Sequence, residues 1–285
     1  MTTVIDAKGL SKSYGAFEAL KDVSFSVPLG RILGVIGANG AGKTTMLNAV
    51  LGLTRYEGEL KVLGKDPAKD RDALMENVCF ISDVATLPRW MKVSEILDYV
   101  EIVHPKFSRE QALRYLARTK IPLDKKIKAL SKGMITQLHL AMVMSIDAQL
   151  LVLDEPTLGL DIIFRKSFYS TLLEDYFDKE RTIVITTHQV EEIEHILSDV
   201  MFIQDGEMVL YSSMDEMFET YSELRVPVEK VEQARALGPI SETVSLGQTI
   251  FVYEGVSRDQ LKALGDVSAM KLADIFVAKI TGGQQ

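Results

Sequence analysis

The segment from Gly37 to Thr44 has the residue types and spacing of a phosphate-binding loop. It reads GANGAGKT, which fits the pattern G-x-x-x-x-G-K-[ST], and it lies between a predicted strand, Ile32 to Ile36, and a predicted helix, Thr45 to Leu51. Glycines let the backbone N–H groups face an anion, and the helix adds the positive end of its dipole. The loop therefore predicts a nucleotide site, and its motif alone suits a kinase, a GTPase or an ATPase equally well.

Two side chains of this loop have separate predicted roles. Lys43 is expected to bridge the β- and γ-phosphates of the nucleotide, and the hydroxyl of Thr44 is expected to bind Mg²⁺. The predicted nucleotide contacts in and just after the loop are Gly37, Asn39, Gly40, Ala41, Gly42, Lys43, Thr44 and Thr45.

Two carboxylates, Asp154 and Glu155, follow the apolar run Leu150 to Leu153, which is typical of a buried strand. Two charges at the end of a buried strand are costly without a cation, so the pair predicts bound Mg²⁺. Because successive strand residues point in different directions, we expect Asp154 to hold the metal and Glu155 to act as general base on the attacking water. The alternative is a strand that exits to solvent at a helix cap.

His188 ends another predicted strand, Ile183 to Thr187. A lone histidine in such a position is more often a satisfied polar residue than a catalytic one. Together with the phosphate loop and the carboxylate pair, it becomes a candidate contact for the γ-phosphate. The carboxyl ends of parallel strands gather at one edge of a sheet, so all three groups are expected to meet there.

The order of the predicted elements indicates an α/β fold. Strand-like runs alternate with helical patterns through about residue 210, which is typical of a largely parallel sheet. Helical spacing dominates from about 84 to 148 and predicts a helical insertion. We expect a nucleotide-binding domain over 1–220, with its helical subdomain at about 84–148, and a small α+β extension over 221–285.

The composition is that of an ordinary globular protein, with 47% apolar residues, 25% charged residues and a net charge of −8. An acidic balance argues against non-specific nucleic-acid binding. The single cysteine, Cys79, allows no internal disulfide and favours a reducing compartment. No segment approaches the roughly 18 apolar residues of a membrane span, so none is expected.

The run Leu130-Ser131-Lys132-Gly133-Met134 opens a predicted helix that ends just before the carboxylate strand, and it resembles the signature motif of ABC ATPases. The resemblance covers about residues 3 to 220 and implies a P-loop ABC ATPase core with an antiparallel β subdomain. It implies ATP and Mg²⁺ as cofactors. The motifs stand in the family's order, namely Ser13-Tyr14-Gly15, the phosphate loop, the signature, Asp154-Glu155, Gly159-Leu160-Asp161 and Thr187-His188.

The same resemblance implies a head-to-tail dimer, a homodimer or a heterodimer, with two ATP molecules bound between the phosphate loop of one subunit and the signature of the other. Ser131 is expected to cap its helix, and backbone N–H groups near Gly133 would offer a second anion site. Tyr14 would stack on adenine. Asp161 would link the two ATP sites, and it is also a predicted N-cap for a helix over Ile162 to Tyr176.

Two residues depart from the family's pattern. Lys132 occupies a position where the commonest signature has glycine, and it adds positive charge near the incoming phosphate. Asp83 occupies the place of the usual glutamine after the strand near residue 80. It is expected either to bind Mg²⁺ or water, with altered coupling of hydrolysis, or to be a solvated loop residue.

As a member of this family, the chain is expected to power an ABC transporter through separate transmembrane permease subunits, bound at the cytoplasmic face of the cell membrane without nucleic acid. Leu272 to Val277 resembles the tail of exporter-type ATPases and favours export. Trp90 and Met91 are candidate contacts for a membrane subunit, although core positions are the favoured interpretation. The alternatives are a soluble ATPase of a nucleic-acid or ribosomal machine, and a nucleotide-gated regulatory module with little turnover.

Overall fold

The computed structural model describes residues 2–82, 87–177, 180–245 and 247–282. Within these ranges the strands are β1 (Thr3–Tyr14), β2 (Phe17–Pro28), β3 (Ile32–Ile36), β4 (Glu57–Val62), β5 (Val78–Ile81), β6 (Leu150–Asp154), β7 (Thr182–Thr187), β8 (Asp199–Gln204), β9 (Glu207–Ser213), β10 (Tyr221–Val226), β11 (Ser241–Ser245), β12 (Gln248–Glu254) and β13 (Asp266–Ser268). The α-helices are α1 (Lys43–Val50), α2 (Arg71–Met75), α3 (Val93–Val103), α4 (Arg109–Ala117), α5 (Lys132–Val143), α6 (Ile162–Thr171), α7 (Val190–Ile193), α8 (Met214–Thr220), α9 (Val231–Arg235), α10 (Arg258–Lys262) and α11 (Leu272–Gly282).

A six-stranded sheet of order β5-β6-β7-β3-β8-β9 forms the centre of the molecule, with β9 antiparallel and the other strands parallel. Every residue of β3, β6 and β7 is buried, as their continuous apolar or β-branched composition predicts. The register pairs Ile36 with Thr187 and Asp154 with Thr186. The carboxyl ends of the three predicted strands therefore lie side by side, which confirms the expected meeting point.

A three-stranded antiparallel sheet of order β2-β1-β4 covers one face of this central sheet. Its apolar side chains share one core cluster with those of β3, α1 and β8, for example Leu10, Val35 and Met201. This packing brings the end of β1, and with it Tyr14, beside the phosphate loop. It is the antiparallel β subdomain that the family resemblance implies.

Helices α3, α4 and α5 lie where the sequence predicts a helical insertion. Ser108 caps α4 through the N–H of Gln111, and Ser131 caps α5 through the N–H of Met134 at 3.2 Å. One prediction in this region is wrong, because Trp90 is 72% exposed rather than buried in the core. Met91 packs against the main core cluster.

The chain beyond β9 forms a four-stranded antiparallel sheet of order β11-β12-β10-β13 together with α9 and α10, which is an α+β arrangement as expected for 221–285. This sheet has a small core of its own that includes Leu224 and Phe251. The last helix, α11, instead returns to the main core, where Leu272 and Ile275 are fully buried. The division into domains at 220 stays a prediction.

Candidate functional site

The phosphate loop connects β3 to α1 and turns through two glycines in the left-handed region. Gly40 has φ 83° and Gly42 has φ 111°. A Cβ atom on Gly42 would lie 2.5 Å from the carbonyl oxygen of Ala19, whereas one on Gly40 would meet nothing within 4 Å. The loop thus requires glycine at Gly42 for its conformation and for the close approach of β2.

Replacing Gly42 with alanine is expected to weaken ATP binding at least tenfold, because a contact of 2.5 Å with backbone forces the loop to move. Gly40→Ala is the matched control, since it carries the conformational strain without the contact. Titration with a fluorescent ATP analogue measures both affinities. Equal affinities in the two variants would show that β2 places no steric limit on the loop.

Lys43 begins α1 and turns back over the loop that precedes it. Its Nζ donates to the carbonyl oxygens of Gly37 at 2.7 Å and Ala38 at 3.1 Å. The residue is only 7% exposed, and this burial lowers the pKa of its ammonium, against an opposing effect of Glu155 and Asp154. A buried cation near the mouth of an anion-binding loop is suited to contact phosphate.

Asp154 ends β6 with both carboxylate oxygens occupied by hydroxyl donors. Thr44 donates to Oδ2 at 2.9 Å, and Thr186 of the neighbouring strand donates to Oδ1. The residue is 2% exposed. The carboxylate and the Thr44 hydroxyl therefore adjoin each other, which is the oxygen-rich donor set that Mg²⁺ prefers.

Glu155 follows with φ 48°, a conformation that non-glycine residues seldom adopt. Its N–H donates to the carbonyl oxygen and the hydroxyl of Thr186, which holds this strained turn in place. The Oε1 atom of its side chain lies 2.9 Å from Nδ1 of His188. The two side chains that sequence analysis assigned to hydrolysis are in direct contact.

These groups line a single cleft of about 620 Å³ at the carboxyl edge of the central sheet. The predicted residues that line it are Tyr14, Asn39, Gly40, Ala41, Gly42, Lys43, Thr44, Thr45, Asp154, Glu155 and His188. Gly37 lines a neighbouring groove. The prediction missed Phe17, which is exposed at the start of β2 and shares the cleft wall with Tyr14. A second aromatic three residues after Tyr14 was the available signal.

The remaining predicted residues lie elsewhere. Among the described residues that line the cleft there is no Ser131, Gly133 or Asp161. Asp161 caps α6 by accepting from the N–H of Phe164 at 2.9 Å, as predicted. The Lys132 side chain lies across Gly159, where an added Cβ would be 3.7 Å from its Nζ. Asp83 is outside the described residues.

Sequence analysis also missed Arg165, which connects two of the motifs. Its Nε donates to the carbonyl oxygen of Leu160 at 2.8 Å, and its Nη1 donates to the side chains of Gln189 and Glu192. The guanidinium thus joins the segment before α6 to the segment that follows His188. A single arginine in a helix has no sequence signal that distinguishes this role.

A phosphate loop, a carboxylate pair and a histidine that converge at the carboxyl ends of parallel strands define a P-loop nucleoside triphosphatase. The sequence model of the ABC transporter family matches residues 20–158. The Nod factor export ATP-binding protein I of Rhizobium johnstonii is 30% identical over a gapped alignment of 304 positions, which covers 98% of this chain and 94% of that protein.

Solved structures agree on the fold. A structure of the ATP binding subunit of an ABC transporter matches with a TM-score of 0.66 at 22% identity, over 92% of this chain and 98% of its own. The dimeric post-hydrolysis structure of the ATP-binding cassette MJ0796 with ADP and Pi matches with a TM-score of 0.64 at 22% identity, over 74% of this chain and 98% of its own. The chain belongs to the ABC transporter ATP-binding proteins. It is the subunit that binds and hydrolyses ATP.

Proposed function

We propose that this chain drives export through separate membrane-spanning subunits, and that it does so as a dimer that closes on two Mg²⁺–ATP molecules. The observation that carries the proposal is the convergence of Lys43, Asp154, Glu155 and His188 in one cleft. ATP then acts as a ligand that favours the closed dimer, and cleavage of the γ-phosphate removes that preference. Hydrolysis therefore resets the transporter.

Each side chain of the cleft has a role in this proposal. Lys43 exchanges its two backbone carbonyl partners for phosphate oxygens. Glu155 accepts the proton of the attacking water, and His188 orients Glu155 and contacts the γ-phosphate. Tyr14 and Phe17 offer aromatic surface to the adenine ring.

Thr44 and Asp154 are the proposed protein ligands of Mg²⁺. In the part of the chain that the structure describes, no cluster of three His, Cys, Asp or Glu side chains could hold a metal ion by itself. This fits Mg²⁺, which usually binds through one or two protein oxygens together with water and substrate phosphates. When bound, the ion supplies positive charge against the phosphate oxygens.

The position of the signature supports a dimer. Ser131 is exposed at the start of α5, where it accepts from the N–H of Met134, and neither Ser131 nor Gly133 is among the described residues that line the chain's own cleft. A second chain would bring these residues to the γ-phosphate. The solved dimer of MJ0796 with ADP and Pi supports such an arrangement in a relative.

Adding a negative charge at Ser131 of the signature is expected to prevent this dimer. In a Glu155→Gln background, ATP should convert the chain to a dimer, and the added Ser131→Glu should keep it monomeric because the new carboxylate faces the partner's γ-phosphate. Light scattering during size-exclusion chromatography measures the mass. Ser108→Glu is the matched control, since Ser108 caps α4 in the same way. A dimer that survives Ser131→Glu would contradict the head-to-tail arrangement.

Peripheral attachment at the cytoplasmic face is also part of the proposal. In the ranges that the structure describes, none of the helices combines the length and apolarity needed to cross a bilayer. The exposed Trp90 is a candidate contact for a membrane subunit, because aromatic side chains are enriched in protein–protein interfaces.

Export is favoured by the extent of similarity to the Rhizobium protein, whose name assigns it to Nod factor export. That similarity covers 98% of this chain and so includes the carboxyl-terminal sheet and α11. Reconstitution with the membrane subunits in vesicles tests the direction. Export predicts that substrate leaves the compartment that holds this chain and ATP, and movement toward that compartment would overturn it.

A further inference from the structure

Helix α11 packs next to the segment that follows His188 in the sequence. It packs against α7, which begins two residues after the histidine, and Leu272 and Ile275 are completely buried in the same core cluster as Ile193 of α7. The N–H of Leu272 donates to Oε1 of Glu194 at 3.1 Å. The last helix of the chain is therefore attached to the element that follows the histidine.

A groove of about 540 Å³ separates α11 from the cleft. His188 and Gln189 line one side, and Ala273, Phe276 and Val277 of α11 line the other. The groove also includes Gly37 and Ala38, the carbonyl partners of Lys43. Helix α11 thus borders the same groove as the histidine and the start of the phosphate loop.

Phe276 fixes α11 to the central sheet. Its ring meets Phe202 of β8 edge-on, with centroids 5.1 Å apart, and Phe202 is the register partner of Ile36 at the end of β3. The same ring borders the groove next to His188. One aromatic side chain thus supports the strand before the phosphate loop and the wall beside the histidine.

The other end of α11 is joined to the carboxyl-terminal sheet. Lys279 forms an ion pair with Glu254 of β12 at 3.0 Å, and Glu254 also accepts from the hydroxyl of Tyr221 at 2.6 Å. The Lys279 and Glu254 side chains are partly buried, so screening by solvent is limited. Helix α11 therefore connects a sheet without an assigned role to the nucleotide cleft.

We propose that α11, through Phe276, is a positioning element for His188. The inference rests on the proposed role of His188 at the γ-phosphate. The His188 side chain is 42% exposed, so its own packing holds it weakly and its placement depends on α7. Since reacting groups must be placed to within a fraction of an ångström of their productive positions, a small displacement of α7 is expected to reduce turnover more than it reduces ATP affinity.

The test compares Phe276→Leu with Phe251→Leu in the full chain. Both changes remove an aromatic ring, but Phe251 belongs to the core of the carboxyl-terminal sheet and borders no part of the groove. Phe276→Leu is expected to lower kcat about tenfold with the Kd for ATP within about twofold, whereas Phe251→Leu lowers Tm and leaves kcat within about twofold. A kcat loss of equal size in both variants would overturn the proposal.

A double-mutant cycle with His188→Ala identifies the route of the effect. If Phe276 acts through the histidine, Phe276→Leu should cause no further loss of kcat in the His188→Ala background. A full additional loss there would mean that the phenylalanine acts independently of His188. An unchanged kcat in His188→Ala alone would refute the proposed role of His188 in turnover, and with it the proposal that Phe276 positions His188.

Hydrogen exchange of the nucleotide-free chain gives a readout that does not require turnover. Amides of residues 188–193 are expected to exchange faster in Phe276→Leu than in the wild type, and at the wild-type rate in Phe251→Leu. Wild-type exchange in Phe276→Leu would overturn the proposal even if turnover falls. If the wild type has no ATPase activity but exchange is faster in Phe276→Leu, the isolated chain does not turn over ATP by itself, and the positioning of residues 188–193 by Phe276 is still supported.

Discussion

Replacing Glu155 with glutamine is expected to lower ATP turnover by about 10² to 10⁴ while ATP binding persists. Glutamine has nearly the same shape, and the backbone contacts of this residue with Thr186 do not involve its side chain. The amide, however, cannot accept a proton from water. Loss of turnover with retained binding would therefore assign Glu155 as the general base.

The measurement is the rate of ATP hydrolysis by the purified wild type and by Glu155→Gln at several protein concentrations. It tests the role of Glu155 and also shows whether the rate per chain depends on concentration. A rate per chain that rises with concentration indicates that two chains form each site. Glu207→Gln is a suitable control, because Glu207 is an exposed carboxylate that pairs with Lys21 on β2. Normal turnover in Glu155→Gln would contradict the assignment of Glu155 as general base. Negligible wild-type turnover despite tight binding would favour a nucleotide-gated module and direct attention to Asp83.

Replacing Lys43 with methionine is expected to weaken ATP binding by at least about 100-fold, because the phosphates lose a buried, charge-assisted partner. The free energy of unfolding without ATP should change little. Burial lowers the pKa of Lys43, so the charged ammonium opposes folding at neutral pH, and methionine fills a similar volume. The lost hydrogen bonds to Gly37 and Ala38 act in the opposite direction.

Thermal unfolding with and without Mg²⁺–ATP measures both effects at once. The wild type should show a rise in Tm with ATP, and Lys43→Met should show nearly the same Tm without ATP and no rise with it. Lys21→Met is the matched control, since Lys21 is a partly exposed lysine whose ion pair lies on the surface. An undiminished rise in Lys43→Met would exclude Lys43 as a phosphate contact.

The sequence predicted those parts of the site that lie in short motifs. Strand β3, the glycine-rich turn and α1 are contiguous, so local chemistry determines their conformation. The meeting of Asp154 with Thr186 depends on parallel pairing of β6 with β7, which follows from the strand-end rule for α/β sheets. The helix caps at Ser131 and Asp161 were predicted for the same local reason.

The contacts that escaped prediction join residues far apart in the chain. Arg165 and Gln189 are 24 residues apart in the sequence. The carboxyl-terminal sheet, β10 to β13, lies between Phe202 and Phe276 in the sequence. Neither has a periodic or motif-like pattern around it. Trp90 was misassigned because composition cannot distinguish a buried aromatic residue from an exposed one.

The return of α11 to the main core has a consequence for the order of events during protein synthesis. Tyr221, Leu272, Ile275 and Ala278 belong to the same apolar cluster as strands β3, β6 and β7. That cluster stays incomplete until α11 has left the ribosome, on the order of seconds after residues 1–220 at ordinary elongation rates. The nascent cassette thus leaves part of its apolar core uncovered in this interval, and exposed apolar surface of this kind promotes aggregation.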